Sequence, residues 1–189
     1  MKPVMFLPVL WGAFIAYWIH AARSVKRPRV RQPGIQRFLA YAGMIICAVL
    51  LVYPADLQLP VLGLRMWPAG PVAGWAGIVA CLAGIAFAIW ARRILADNWS
   101  AEVQIKEDHV LMTKGPYGIV RHPIYAGLCV ALIGTWMTLG TLIGLVAVIT
   151  AFLGMWHKMA LEEEFMRRQF PDAYPPYAAR VKRLVPGVF

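Results

Sequence analysis

The stretch Pro123–Trp156, PIYAGLCVALIGTWMTLGTLIGLVAVITAFLGMW, runs for 34 residues without a charged side chain. One helix needs about 20 apolar residues to cross the hydrocarbon core of a bilayer, so this stretch is too long for a single crossing. Gly140 lies near its middle and is the expected turn. Each half would rise roughly 25 Å at 1.5 Å per residue. The stretch therefore predicts two membrane-spanning helices, at about residues 123–139 and 141–157.

Three further apolar runs and the overall composition point to the same kind of protein. Of the 189 residues, 60% are hydrophobic and 15% charged, and the mean hydropathy is +0.61. A soluble domain is roughly 45–50% apolar, and a chain this short cannot bury so much apolar surface in an aqueous core. With runs at about 4–22, 38–53 and 72–91, we expect an all-α integral membrane protein. It would have five transmembrane helices in a single domain over residues 1–189.

The basic residues predict how these helices are oriented. Seventeen of the 19 Lys and Arg residues follow the first span, separate the third from the fourth, or follow the fifth. The remaining two, Lys2 and Arg65, lie in segments predicted on the opposite side of the membrane. Cytoplasmic loops are enriched in Lys and Arg, so the N-terminus is predicted outside and the C-terminus in the cytoplasm. Because the basic residues lie between apolar runs, membrane topology explains the net charge of +10. A nucleic-acid-binding protein would instead have its basic residues on one folded face, so we expect no nucleic acid.

Few ionisable residues lie inside the predicted spans. Apart from cysteines and tyrosines, His20 is the only one deep within a span. Ion-coupled transporters keep such residues in their spans, so that function is disfavoured. The three cysteines fit neither a disulfide framework nor a zinc spacing, and His109, His122 and His157 lack a metal-ligand spacing. We expect no metal.

Polar residues instead concentrate in two clusters at the predicted cytoplasmic face. In the first, His109–Gly127, Pro123 suits the first turn of a span, and the N–H groups of a helix start favour an anion such as a carboxylate. The second is Glu162–Glu164, which we expect just beyond the fifth span, in a loop otherwise rich in Lys and Arg. On residue types alone, an interfacial anchor explains the first cluster as well as a ligand site does. A solvated acidic face explains the second cluster better.

Motifs in the second half of the chain follow one another in a fixed order. They are Asn98-Trp99-Ser100, His109-Val-Leu-Met, GPYGIVRHPIYAG at 115–127, Glu162-Glu163-x-x-Met166, Phe170, Tyr174, Tyr177, Val181 and Arg183-Leu-Val-Pro. In order and spacing they resemble the isoprenylcysteine carboxyl methyltransferase and phospholipid methyltransferase group of integral membrane enzymes. The resemblance covers roughly the last half of the chain.

The resemblance implies S-adenosylmethionine as the cofactor, bound at the cytoplasmic face by the C-terminal half. Carried over position by position, the family's cofactor contacts fall on Gln104, His109, Val110, Leu111, Met112, Tyr117, His122, Pro123, Ile124, Tyr125 and Glu162. Lys158 aligns with an arginine that is suggested to face the substrate in animal members. Lysine lacks the planar fork with which arginine binds a carboxylate. Glu162, Glu163 and Arg121 are the candidate catalytic residues.

The implied reaction moves a methyl group to a lipophilic acceptor that enters from the bilayer, with carboxyl methylation of an isoprenylcysteine-like substrate as the leading hypothesis. A sulfonium methyl is already activated, so positioning can supply about 7–11 kcal/mol of the barrier without a general base. A phospholipid amine, which would need Glu162 or Glu163 as base, and a small thiol or isoprenoid acid are alternatives. A transporter subunit or lipid-binding scaffold is the alternative from another class, and a nicotinamide-dependent reductase is a third.

Overall fold

The computed structural model describes residues 2–23, 64–68, 70–95 and 111–188. Most of these residues are helical. The α-helices within this part are α1 (Leu7–Ala22), α2 (Pro71–Leu95), α3 (Pro123–Leu139), α4 (Leu142–Gln169) and α5 (Tyr174–Arg180). Short 3-10 turns, Pro3–Phe6 and Gly115–Gly118, precede α1 and α3. The predicted span at 38–53 lies outside the described residues.

The long helices have the length and apolar character of membrane spans. Among the described residues, three segments are long and apolar enough to cross a bilayer: Pro3–Ala21, Pro71–Leu95 and Leu142–Gln169. The fourth apolar helix, α3, has 17 residues, which is about 25 Å at 1.5 Å per residue. Large apolar side chains such as Val79 and Leu153 are exposed, as is expected of a surface that faces lipid. The protein is an all-helical, multi-pass integral membrane protein.

A tight turn at Gly140 separates α3 from α4. Gly140 adopts a left-handed conformation, with φ of 66°, and its N–H donates to the Trp136 carbonyl at 2.7 Å. A residue with a β-carbon is strained at this φ, and that carbon would lie 2.9 Å from the indole nitrogen of Trp67. Thr141 then caps α4 by accepting from the Gly144 N–H. The hairpin therefore depends on a glycine at this position.

The helix α4 continues beyond the span predicted at 141–157. It ends at Gln169, so Glu162–Glu164 lie on its last turns. The expectation that these acids lie in a loop is therefore wrong. The reason is local, because residues 158–169 are mostly Lys, Met, Leu, Glu, Arg and Gln, which have high helix propensity. An i,i+4 pair between Glu164 and Arg168 adds support.

Small residues let α2 and α3 pack with their backbones nearly in contact. A β-carbon added at Gly84 would lie 2.4 Å from the Gly127 carbonyl oxygen, and one added at Gly134 would lie 2.5 Å from the Cys81 nitrogen. Ala131 is completely buried between them. Inside a bilayer the hydrophobic effect does not drive helices together, so they associate through close van der Waals packing of this kind. It fixes the position of α3 and therefore of the residues at its amino end.

Polar side chains join α1 to this helix pair. The Trp11 indole donates to the Thr135 hydroxyl at 3.0 Å, and Thr135 donates to the Ala131 carbonyl at 2.9 Å. At the end of α1, the buried Arg92 of α2 donates to the Ala21 carbonyl at 2.8 Å. Carbonyls at a helix C-terminus lack partners within the helix, so a guanidinium there is favourable.

Candidate functional site

The amino end of α3 meets the last turns of α4 and the segment that follows α5. Val120 and Lys182 form an isolated parallel bridge. The Arg121 N–H donates to the Lys182 carbonyl at 2.7 Å, and the His122 N–H donates to the Arg183 carbonyl at 3.1 Å. Residues about 60 positions apart are thereby held side by side, directly before α3 begins at Pro123.

Glu163 is the centre of a buried ion-pair network. Its side chain is 1% exposed. Arg183 binds both carboxylate oxygens, at 2.8 and 2.7 Å, and Arg121 donates two hydrogen bonds to Oε1, at 3.2 and 3.1 Å. Burial alone would raise the pKa of Glu163, but hydrogen bonds from His122 and Arg183 and the charge of Arg121 hold that pKa well below its usual range. A buried carboxylate is tolerated when it is paired this completely.

Arg121 also joins the network to α5. Its Nη1 donates to the Ala178 carbonyl at 2.8 Å and to the Val181 carbonyl at 2.6 Å. Nearby, the buried Tyr177 hydroxyl donates to the Tyr117 carbonyl at 2.7 Å, which attaches the 3-10 turn Gly115–Gly118 to the same helix. With the two bonds to Glu163, four of the five N–H groups of Arg121 donate to protein acceptors.

His122 lies between two carboxylates. Its Nε2 is 3.1 Å from Glu163 Oε1, and its Nδ1 is 3.5 Å from Glu162 Oε2. Burial alone would lower the pKa of His122, but hydrogen bonds to Glu162 and Glu163 raise it above the usual value. The two carboxylates therefore stabilise the protonated imidazole, in which both nitrogens can donate.

Glu162 borders this network and keeps access to its surroundings. The Tyr125 hydroxyl donates to Glu162 Oε1 at 2.6 Å. Burial would raise the pKa of Glu162, but contacts with His122, the charge of Lys158 and the Tyr125 hydroxyl lower it. The Glu162 side chain is 25% exposed, against 1% for Glu163 and 57% for Glu164. The three consecutive acids thus occupy three different environments, and the solvated face favoured by residue types holds for Glu164 alone.

The first turn of α3 has backbone N–H groups that its own helix does not satisfy. Pro123 has no N–H, and the Ala126 N–H donates to the His122 carbonyl at 2.9 Å. The N–H groups of Ile124 and Tyr125 have no acceptor within the helix, and the N-cap residue His122 makes no side-chain capping bond. The helix dipole adds a partial positive charge at the same place. The start of a helix, with its partial positive charge, and a partly exposed carboxylate therefore lie next to each other.

The predicted site residues are distributed as follows. Tyr117, His122, Tyr125 and Glu162 lie in one cluster, in which the charge of Glu162 adds to burial in raising the pKa of Tyr117. Lys158 lies one turn before Glu162, with its Nζ 6.0 Å from the Tyr125 ring centroid. Partly exposed Leu111 and Met112 precede the 3-10 turn, and Pro123 and Ile124 begin α3. Gln104, His109 and Val110 lie outside the described residues.

The sequence did not single out Arg183 as a site residue. Arg183 makes the shortest contacts to Glu163, and its guanidinium lies 4.4 Å from the Trp156 ring centroid. Two signals could have found it: the C-terminal Arg-Leu-Val-Pro motif, and the need of an acid next to an apolar span for a cationic partner.

The fold and the site together define a class: a multi-pass helical membrane protein with a paired acidic cluster at the amino end of an apolar helix. The chain belongs to the phospholipid methyltransferase family, whose sequence profile matches residues 72–173. This range includes α3, α4 and all of α2 except Pro71, and therefore most of the residues described above.

Individual relatives agree with the family assignment. The chain is 33% identical over 84 residues to a protein-S-isoprenylcysteine O-methyltransferase of Schizosaccharomyces pombe, covering 42% of this chain and 34% of the relative. It is 32% identical over 88 residues to protein-S-isoprenylcysteine O-methyltransferase B of Arabidopsis thaliana, covering 46% and 45%. The matches thus span between a third and half of the curated relatives.

A solved structure shares the fold. The structure of a eukaryotic intramembrane Ras methyltransferase, an isoprenylcysteine carboxyl methyltransferase, superimposes with a TM-score of 0.57 at 21% sequence identity. The match covers 85% of this chain and 55% of the other. At this identity the likeness concerns the helical architecture.

Proposed function

We propose that this protein is an integral membrane methyltransferase that transfers a methyl group from S-adenosylmethionine to a lipophilic acceptor. The observation that carries the proposal is the juxtaposition of Glu162, hydrogen-bonded to Tyr125, with the uncapped start of α3. Family membership supports the chemistry, and four of the positions carried over from the family lie together there. A scaffold or transporter subunit would not need this arrangement.

The residues present fit the charges of this cofactor. Its methionyl part carries a carboxylate, which the N–H groups at the start of α3 suit, and an ammonium, which the ionised Glu162 suits. Partly exposed Leu111, Met112 and Ile124 supply the apolar surface that ligand sites usually have. When bound, the cofactor supplies a methyl group activated by its sulfonium charge. The protein then has to hold donor and acceptor in line.

The state of the acids favours a carboxylate acceptor, such as that of an isoprenylcysteine. An amine acceptor must lose a proton, and a general base for it should have a pKa near the working pH. Glu162 and Glu163 both have lowered pKa values, and Glu163 is saturated by two arginines. We therefore assign Glu163 and Arg121 to holding the site, and propose that Lys158 faces the acceptor carboxylate. The family profile keeps a phospholipid amine as the second candidate.

The proposed arrangement in the membrane has five spans, the second of them at about 38–53, with the N-terminus outside. The cofactor would then enter from the cytoplasm, where 17 of the 19 basic residues are expected. The acceptor would enter sideways from the bilayer near Tyr125. Because the chain spans less than half of the curated relatives, their substrate is a proposal for this protein.

The decisive test is cofactor binding by Glu162 variants. We expect S-adenosylmethionine to bind the detergent-purified protein in calorimetry, and Glu162→Gln to raise Kd by about 10- to 100-fold, because a charged hydrogen bond contributes about 1.5–3 kcal/mol. The matched control is Glu164→Gln, in the exposed neighbouring acid, which should bind as wild type does. No binding by folded wild-type protein, freed of endogenous ligand, would exclude the proposed function.

The acceptor can be identified with a pair of synthetic lipids. One is an isoprenylcysteine with a free carboxylate, and the other is the same molecule with a carboxamide. We expect base-labile methyl ester only from the first. Methylated phospholipid headgroups without ester formation would favour the phospholipid candidate.

A further inference from the structure

The residues after α5 contact the segment that leads into α3. Residues 181–188, which we call the tail, lie beside the approach to α3 through the backbone bonds of Arg121 and His122 to Lys182 and Arg183. Within the tail, Leu184 is buried in the same core as the helices. The tail is thus docked by backbone bonds and apolar packing at the point where α3 begins.

The contacts of the Arg183 side chain hold the carboxylate of Glu163 in one orientation. Its Nε and Nη2 bind the two oxygens of Glu163 at 2.8 and 2.7 Å, which fixes the plane of the carboxylate. Its own guanidinium lies over the Trp156 ring, which restricts its orientation. The Arg183 side chain is 19% exposed, so these contacts are well screened from solvent.

A short series of contacts leads from Arg183 to the proposed ligand groups. Glu163 Oε1 accepts from Arg183 and faces His122 Nε2, and the other ring nitrogen of His122 faces Glu162. His122 is also the N-cap of α3. A change in the angle of Glu163 would therefore change the orientation of the imidazole and its contact with Glu162.

We propose that Arg183 is a positioning residue of the cofactor site, which fixes Glu163 and through it the orientation of His122 and Glu162. The proposal rests on the proposed function, because the ligand is the cofactor named there. Arginine is required for this role, since lysine has no planar fork and can bind the two oxygens only as a point charge. Among the described residues, Arg183 is linked to the predicted cofactor residues by the hydrogen bond from the His122 N–H to its carbonyl and, through its side chain, by way of Glu163.

The first test compares Arg183→Gln and Arg183→Lys with Arg180→Gln, a matched control at an exposed arginine three residues earlier. Misplacement of Glu162 would weaken its charged hydrogen bond to the ligand, a bond that contributes on the order of 10- to 100-fold to affinity. We therefore expect calorimetry to give an S-adenosylmethionine Kd at least about tenfold higher for Arg183→Gln, a smaller rise for Arg183→Lys and none for Arg180→Gln. Wild-type affinity in folded Arg183→Gln would overturn the proposal.

The second test does not use the cofactor, so it separates this proposal from the proposed function. The groups that face His122 are Glu162 and Glu163 on α4. Around Glu163 lie Arg121, Arg183 and, at 3.7 Å from Oε2, Arg167. Lys158 and Tyr125 flank Glu162. Removing the cation of Arg183 leaves the carboxylates to hold the His122 proton more strongly. NMR of ¹⁵N-histidine-labelled protein, assigned with His122→Gln, should show the His122 titration at higher pH in Arg183→Gln.

A His122 titration that is the same in Arg183→Gln and wild type would overturn the proposal, because Glu163 would then not transmit the change. If Arg183→Gln does not fold, Arg183→Lys is measured in both tests. It keeps the charge but not the planar fork, so its titration should shift less than that of Arg183→Gln while its Kd still rises. A wild-type Kd in folded Arg183→Lys would again overturn the proposal.

Discussion

At the scale of single residues, identical side chains differ because of what surrounds them. Glu162, Glu163 and Glu164 are consecutive on α4, and successive positions on a helix point about 100° apart. One therefore faces the arginines, one faces His122 and Tyr125, and one faces outward to Arg168. The surroundings of each carboxylate determine its charge and its accessibility. Of the three, Glu162 is the one that is both partly exposed and hydrogen-bonded to a predicted cofactor residue, Tyr125.

The first prediction at this scale concerns the stability of the ion-pair network. Glu163→Ala leaves the partly buried guanidiniums of Arg121 and Arg183 without their carboxylate, and breaking a buried pair costs about 3–5 kcal/mol. We expect a loss of this size in the free energy of unfolding, measured by denaturant titration in detergent micelles. Glu164→Ala, which removes an exposed pair, should change it by less than about 1 kcal/mol. Equal effects of the two substitutions would contradict a buried network.

At the scale of helices, the sequence marks where helices turn more clearly than where they end. Gly140 ends α3 because a left-handed residue is needed there. The end of α4 is different, because hydropathy falls near residue 157 while helix propensity continues to Gln169. The end of the apolar stretch is therefore not the end of the helix. This extension brings Glu162 and Glu163 to the amino end of α3.

A prediction about the α2–α3 pair follows from its backbone contact. Gly84→Ala would place a methyl group 2.4 Å from the Gly127 carbonyl oxygen and 2.5 Å from the Ala131 nitrogen, which side-chain motion cannot relieve. Overpacking typically costs about 1–3 kcal/mol. We expect a lower midpoint of thermal unfolding in detergent. Gly12→Ala in α1 is the control, since a β-carbon there meets nothing within 4 Å, and it should be neutral or slightly stabilising.

At the scale of the whole molecule, the orientation in the membrane is a prediction from charge alone. Single cysteines at Arg168 and at Leu64, in a background without the native cysteines, report the two sides; both positions are exposed. A membrane-impermeant maleimide should label Arg168→Cys in inverted vesicles and Leu64→Cys in right-side-out vesicles. The reverse pattern would place the C-terminus outside.

Much of this molecule could be predicted from the sequence because membrane helices are specified locally. Each residue contributes its own transfer free energy, so the sum over about 20 residues predicts a span without knowledge of its neighbours. The apolar helices, the turn at Gly140 and the family resemblance all came from such local patterns. The motif around His122 and the acids of α4 were recognised for the same reason.

Tertiary structure alone decided which of these residues meet. Glu163 pairs with arginines 42 positions before it and 20 after it, and hydropathy does not identify ion-pair partners at such separations. The docking of the tail beside α3 assigned Glu163 to the buried network and left Glu162 accessible. The pKa of a carboxylate depends on distances to charges and on burial, which exist only once the chain has folded. The sequence by itself therefore determined a helical membrane protein of this family, and the packing of α4 and the tail against α3 determined the site.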